Sequence, residues 1–83
     1  ATDEELRRLR TAPGTEAEIL FLQLMIRHHE GGVLMARAIK ELTHRADVVR
    51  IATSIDEGQR VEIATMSEML AQRGARPFTS LLQ

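Results

Sequence analysis

The residues of this chain that could do chemistry fall in two clusters. Met25, His28, His29 and Met35 follow one another at helical spacing in FLQLMIRHHEGGVLMA, and Gln59, Glu62 and Met66 do so in GQRVEIATM. Imidazole and thioether are soft to borderline ligands that suit copper, Cu(I) above all, and a nearby carboxylate accepts the harder Cu(II). Zinc also takes imidazole and carboxylate but is less natural with methionine. His28 and His29 are neighbours, about 100° apart around a helix, so they do not chelate one ion as an i, i+4 pair would. This spacing predicts His28 pointing into the core and His29 lying at its edge. Each motif has a bland reading too. Methionine at helical spacing commonly fills a core, as expected for Met35 and Met69, and a core His28 bonded to Glu62 is a familiar structural device. Gln59 is placed to hydrogen-bond a ligand rather than to be one.

The elements that must position these side chains are helices. Thr2-Asp3-Glu4-Glu5 reads as a capping box, starting a short helix from about Asp3 to Arg10. Pro13-Gly14 then interrupts the chain, and Thr15 to Glu18 repeats the capping pattern before a first long helix from about Glu16 to Leu42. Thr43 to Asp47 breaks the periodicity, with Asp47 the expected N-cap of a second long helix from about Val48 to Arg73. Gly74 and Pro77 mark its end. The fold class is therefore all-α, with residues 1–14 as a short N-terminal helix and turn and residues 15–83 as a helical hairpin.

Phe21, Leu24, Met25, His28, Gly32, Met35, Ile39 and Leu42 share one side of the first long helix. A second ridge of Ile19, Leu22, Ile26 and Val33 widens its apolar arc to roughly 240°, more than one partner helix covers. The missing cover should be a second copy of the chain or another segment of a longer parent, closing a four-helix bundle. The second long helix should bury Val48, Ile51, Ala52, Ile55, Ile63, Met66, Met69 and Leu70, with Gln59 and Glu62 amid that stripe. A carboxylate there requires a cation, a donor or a metal. Folding the hairpin about residues 44 and 45 sets Met25, His28 and His29 beside Gln59, Glu62 and Met66.

Composition sets further bounds. A chain of 83 residues with no Cys forms one domain without disulfides, and domains this small are often stabilised by oligomerisation or metal. A net charge of -1 and two aromatic residues give neither the electrostatic footprint nor the stacking platform that nucleic acid requires. No apolar run approaches the roughly 20 residues of a membrane span, and no signal-peptide core is present. The chain starts at Ala1, as a processed product or a piece of a longer protein would. Glu41-Leu42-Thr43-His44 formally matches a di-iron Glu-x-x-His, but Glu41 falls on the polar face and His44 beyond the helix. There is no His-Glu-x-x-His, phosphate loop or cysteine nucleophile, and Ser54 and Ser67 have no base level with them, so no enzyme activity is expected.

Phe21-Leu22, Met25, His28-His29, Gly32 and Met35-Ala36, followed by Ile55, Gln59, Glu62-Ile63, Met66 and Leu70, resemble the bacterial family called domain of unknown function 305, over about Thr15 to Arg73. The resemblance implies a ferritin-like four-helix bundle, common in exported or envelope-associated proteins, some of them implicated in copper binding and tolerance. Many such proteins carry the helix pair twice, and this chain resembles the second copy. The metal-binding residues implied are Met25, His28, His29 and Met35, with Glu62 and Met66 in support. Gly32 stands where Ala is usual, and Met69 where Trp often precedes the final Leu. The expectation is a non-enzymatic helical domain binding copper as Cu(I) or Cu(II), secreted or in the cell envelope, acting as a homodimer or with the first copy. Its alternative is a structural or protein-interaction module with a polar core and no metal.

Overall fold

The computed structural model describes residues 1–82, which form three helices: α1, Asp3–Thr11; α2, Gly14–Leu42; and α3, Ala46–Gln72. A three-residue turn, Thr43 to Arg45, folds α3 back antiparallel to α2. α1 lies against α2, and the segment after α3 returns along it.

Helix ends follow local chemistry with two departures from expectation. α1 begins on the Thr2 capping box, in which Glu5 N–H donates to Thr2 Oγ1 and Thr2 N–H donates to Glu5 Oε1. The second capping box is not formed. Ala17 N–H donates to the Pro13 carbonyl at 2.7 Å, so α2 starts two residues earlier, with Pro13 at the N-cap, and Thr15 lies inside the first turn. Asp47 likewise sits within the first turn of α3, where its charge favours the positive end of the helix dipole, while Arg45 occupies the N-cap position. The end of α3 is as expected. Gly74 takes φ +70°, Ala75 N–H donates to the Leu70 carbonyl and Gly74 N–H to that of Ala71, the paired bonds of a Schellman motif.

α3 packs on the Leu22, Ile26 and Val33 ridge of α2. Leu22, Ile26 and Leu70 form the core, with Ile19, Ile63, Met66, Met69 and Ala75 packed around them. The wider stripe of α2 is left largely open: Phe21 is 49% exposed, Met35 73% and Leu42 80%. Ile51 and Ile55 of α3, expected in its buried stripe, are exposed on the same face. The reason is steric, since one helix can close over only one side of another.

Polar clamps hold the periphery. α1 buries no residue, and its tie to α2 is the bond from Arg27 Nη2 to Glu5 Oε1 at 2.7 Å. The same guanidinium stands 5.5 Å from the Phe78 ring centre, a cation–π contact that holds the tail. Gln23 Nε2 adds a bond to the Arg76 carbonyl. Near the turn, buried Asp56 accepts from Arg60 Nε at 2.6 Å and Lys40 Nζ at 3.5 Å, with Arg37 Nε at 3.9 Å, joining α3 to α2. Arg60, then Lys40, holds the Asp56 carboxyl below its usual range.

Arg27, then the Thr2 N–H, pushes the Glu5 carboxyl down from 4.5 to about 2. A carboxylate more acidic folded than unfolded stabilises the fold above its unfolded value and loses that contribution as pH falls through the folded one. Glu5→Gln is thus expected to lower the thermal midpoint at neutral pH, with the gap to the parent closing between pH 4.5 and about 2; a gap constant across that window would refute the assignment. Leu70, fully enclosed, should cost about 2–5 kcal/mol when cut to Ala, measured by urea unfolding.

Candidate metal centre

The turn brings His29 and Glu62 level, as the two motifs predicted, but the histidines exchange roles. His29 is the buried one, 8% exposed, because it lies on the α2 ridge that α3 covers, four residues before Val33. His28 belongs to the open stripe and is exposed. Their ring centres are 6.3 Å apart, edge to face.

His29 Nδ1 is 2.8 Å from the Met25 carbonyl oxygen, and Nε2 is 2.7 Å from Glu62 Oε2. A carbonyl cannot donate, so Nδ1 carries the hydrogen, and the tautomer follows from its partner. Nε2 faces the Glu62 carboxylate, whose side chain is 65% exposed, so the carboxylate expected amid the buried stripe of α3 lies at its edge. At 2.7 Å the contact is a hydrogen bond, too short for a metal ion to stand between the two atoms, so an ion bound here would have to open it. A backbone carbonyl fixing Nδ1–H while Nε2 faces the ligand is also how metal-binding histidines are oriented.

The other expected donors divide. His28 and Met35 line a groove of about 730 Å³ with Gly31, Gly32, Ile51, Ile55 and Gln59 on its walls. Met25 contributes its carbonyl to His29 and is half-buried, whereas Met66 packs into the core beside Leu22, Ile26 and Leu70. Among the described residues no three His, Asp or Glu converge. Of the expected donors, His29 and Glu62 are in direct contact.

Gln59 explains Gly32. A Cβ on Gly32 would stand 2.5 Å from Gln59 Nε2, so the bare backbone admits the amide, whose Oε1 is buried without a partner. Two buried carboxylates were missed by the sequence reading. Glu30 is bonded by Leu81 N–H at 3.5 Å, and Asp56 is held by its three cations. Both lie at the edge of an apolar ridge on the helical wheel, Glu30 beside Ile26 and Val33 and Asp56 beside Ala52 and Ile63, which is the signal that could have found them.

The family model described as "Domain of unknown function (DUF305)" matches residues 1–70. The chain belongs to this family. Its match extends beyond the resemblance read from the motifs, taking in α1. A crystal structure of a DUF305 protein from Streptomyces coelicolor, provisionally named as secreted, superposes with a TM-score of 0.85 at 42% identity, covering 94% of this chain. The match spans 48% of that protein, so this DUF305 chain is about half its length. No curated protein matches the chain.

The contact of Gly32 with Gln59 has a measurable sign. Ala is favoured over Gly in a helix by up to about 1 kcal/mol. In a double-mutant cycle by chemical denaturation, Gly32→Ala should be more favourable in the Gln59→Ala background than in the parent. Strict additivity would show that the two side chains do not compete.

Proposed function

We propose that this DUF305 domain is a non-enzymatic module that binds a soft metal ion, copper before others, and serves sequestration or tolerance of that metal in a bacterium. The observation that carries the reading is the His29 ring, oriented by the Met25 carbonyl with its Nε2 on the Glu62 carboxylate. The His28 ring stands 6.3 Å from that of His29, edge to face. His28 and Met35 face the open groove as further donors. The candidate donors form two sets, His29 with Glu62 on the covered side of α2 and His28 with Met35 on the groove, with Met25 one turn before the histidines. Met66 is the least available of the expected ligands because it also fills the core.

Copper fits the donor types. Thioether and imidazole favour Cu(I), and Glu62 offsets charge or accepts Cu(II). The ion would supply affinity and redox variability, while the protein supplies orientation: Met25 sets the His29 tautomer, and Gly32 gives Gln59 its place beside the groove. Both ring nitrogens of His29 are engaged, so it is not free to serve as a general base for a substrate. A location outside the cytoplasm is part of this reading, supported by the name of the Streptomyces coelicolor relative. No described helix is long and apolar enough to cross a membrane.

The test is an anaerobic titration of metal-free protein with Cu(I) against a competing chelator, with Cu(II) and Zn(II) alongside. Met35 is mostly solvent-exposed, so Met35→Leu should leave the unfolding midpoint unchanged while weakening Cu(I) binding. His28→Ala and His29→Ala should each weaken it about tenfold or more. Equal affinities for parent and variants would defeat the metal reading and leave His29 with Glu62 as a hydrogen-bonded contact that fixes the register of the two helices.

A further inference from the structure

The open stripe of α2 has a symmetry of its own. Phe21, His28, Met35 and Leu42, all exposed, recur every seven residues, the period of a seam between two supercoiled helices. Its midpoint lies between Gly31 and Gly32. About that point Phe21 and Leu42 are equidistant, and so are His28 and Met35. The stripe therefore reads the same in both directions: a bulky apolar residue, a soft metal ligand, two glycines, a soft metal ligand, a bulky apolar residue.

The surroundings suit a protein partner. The groove wall holds no Asp, Glu, Lys or Arg, in a chain that is 28% charged. Exposed apolar surface of this kind marks an interaction site. Ile51 and Ile55 of α3 extend it to one side. A Cβ on Gly31 would meet nothing within 4 Å, so the fold of the single chain does not require glycine there. A helix of a second molecule crossing at that point would.

We propose that two copies of the chain pair through this groove, their α2 helices antiparallel about a two-fold axis at Gly31–Gly32. The arrangement is isologous, each copy offering the same patch. It sets Phe21 against the partner's Leu42 and His28 against the partner's Met35. Each imidazole thus gains a thioether that its own chain does not place beside it, and the four soft donors gather about the axis. The completion of a metal site rests on the copper reading above; the interface does not, since its driving force is apolar burial.

The sequence contains no cysteine, which makes the register measurable. Metal-free Phe21→Cys and Leu42→Cys chains are mixed, oxidised and weighed under non-reducing conditions, beside sedimentation of the parent and of Gly31→Leu. The mixed disulfide, one chain of each variant, is expected in excess of the half that random pairing gives. Gly31→Leu should keep the helical circular-dichroism signal while weakening the dimer about tenfold or more, since bulk at the axis overpacks it. A parent that remains monomeric overturns the proposal and assigns the cover to a different segment, for which the longer Streptomyces coelicolor chain has room. A predominance of the two unmixed products, each variant joined to a second copy of itself, overturns it as well, in favour of a parallel pair. Cu(I) titrations separate the two ideas. A cross-linked dimer with no copper site sinks the metal reading alone, whereas monomeric Gly31→Leu binding Cu(I) as tightly as the parent shows that the partner completes nothing.

Discussion

A helix is buried only where a neighbour reaches it, and α2 offers apolar side chains on two sides while α3 reaches one. The rest of the molecule follows from which side α3 takes. By packing on Leu22, Ile26 and Val33, α3 encloses a core that ends at Leu70, where the chain turns on Gly74. The other stripe, Phe21 to Leu42, stays at the surface with Ile51 and Ile55 beside it. With few aromatic residues and no disulfide, the single hairpin has little else to bury.

That choice also sorts the metal-binding residue types. His29 sits on the covered ridge and is held at both ring nitrogens, whereas His28 one position earlier faces the groove with Met35. Consecutive histidines thereby serve two surfaces. The same rotation puts Gln59 over Gly32, where any side chain would intrude.

Much of the architecture was legible in the sequence because it rests on local signals: the Thr2 capping box, the turn after Leu42, and Gly74 followed by Pro77. The level of the two motifs was legible from the hairpin turn, and His29 does meet Glu62. The choice of ridge was not. Hydrophobic periodicity finds apolar faces but cannot rank two of them on one helix, so His28 was expected inside and His29 at the edge. Thr15 failed as a cap because Pro13, two residues earlier, supplies both a preset φ and the first carbonyl acceptor. The roles of Glu30 and Asp56 depend on partners 51 residues and 16 to 19 residues distant, or on an i, i+4 arginine, which composition does not reveal.

Arg27 has a wider consequence. One guanidinium binds Glu5 near the start of the described chain and Phe78 near its end, so both ends are drawn to the same flank of α2, away from the groove. A unit whose entry and exit lie side by side can be strung in tandem with short connections and without disturbing its interior. Duplication of such a unit within one gene requires no redesign of the fold, only a joint on a flank that is already polar, and the open groove keeps its freedom to be closed by whichever neighbour duplication supplies.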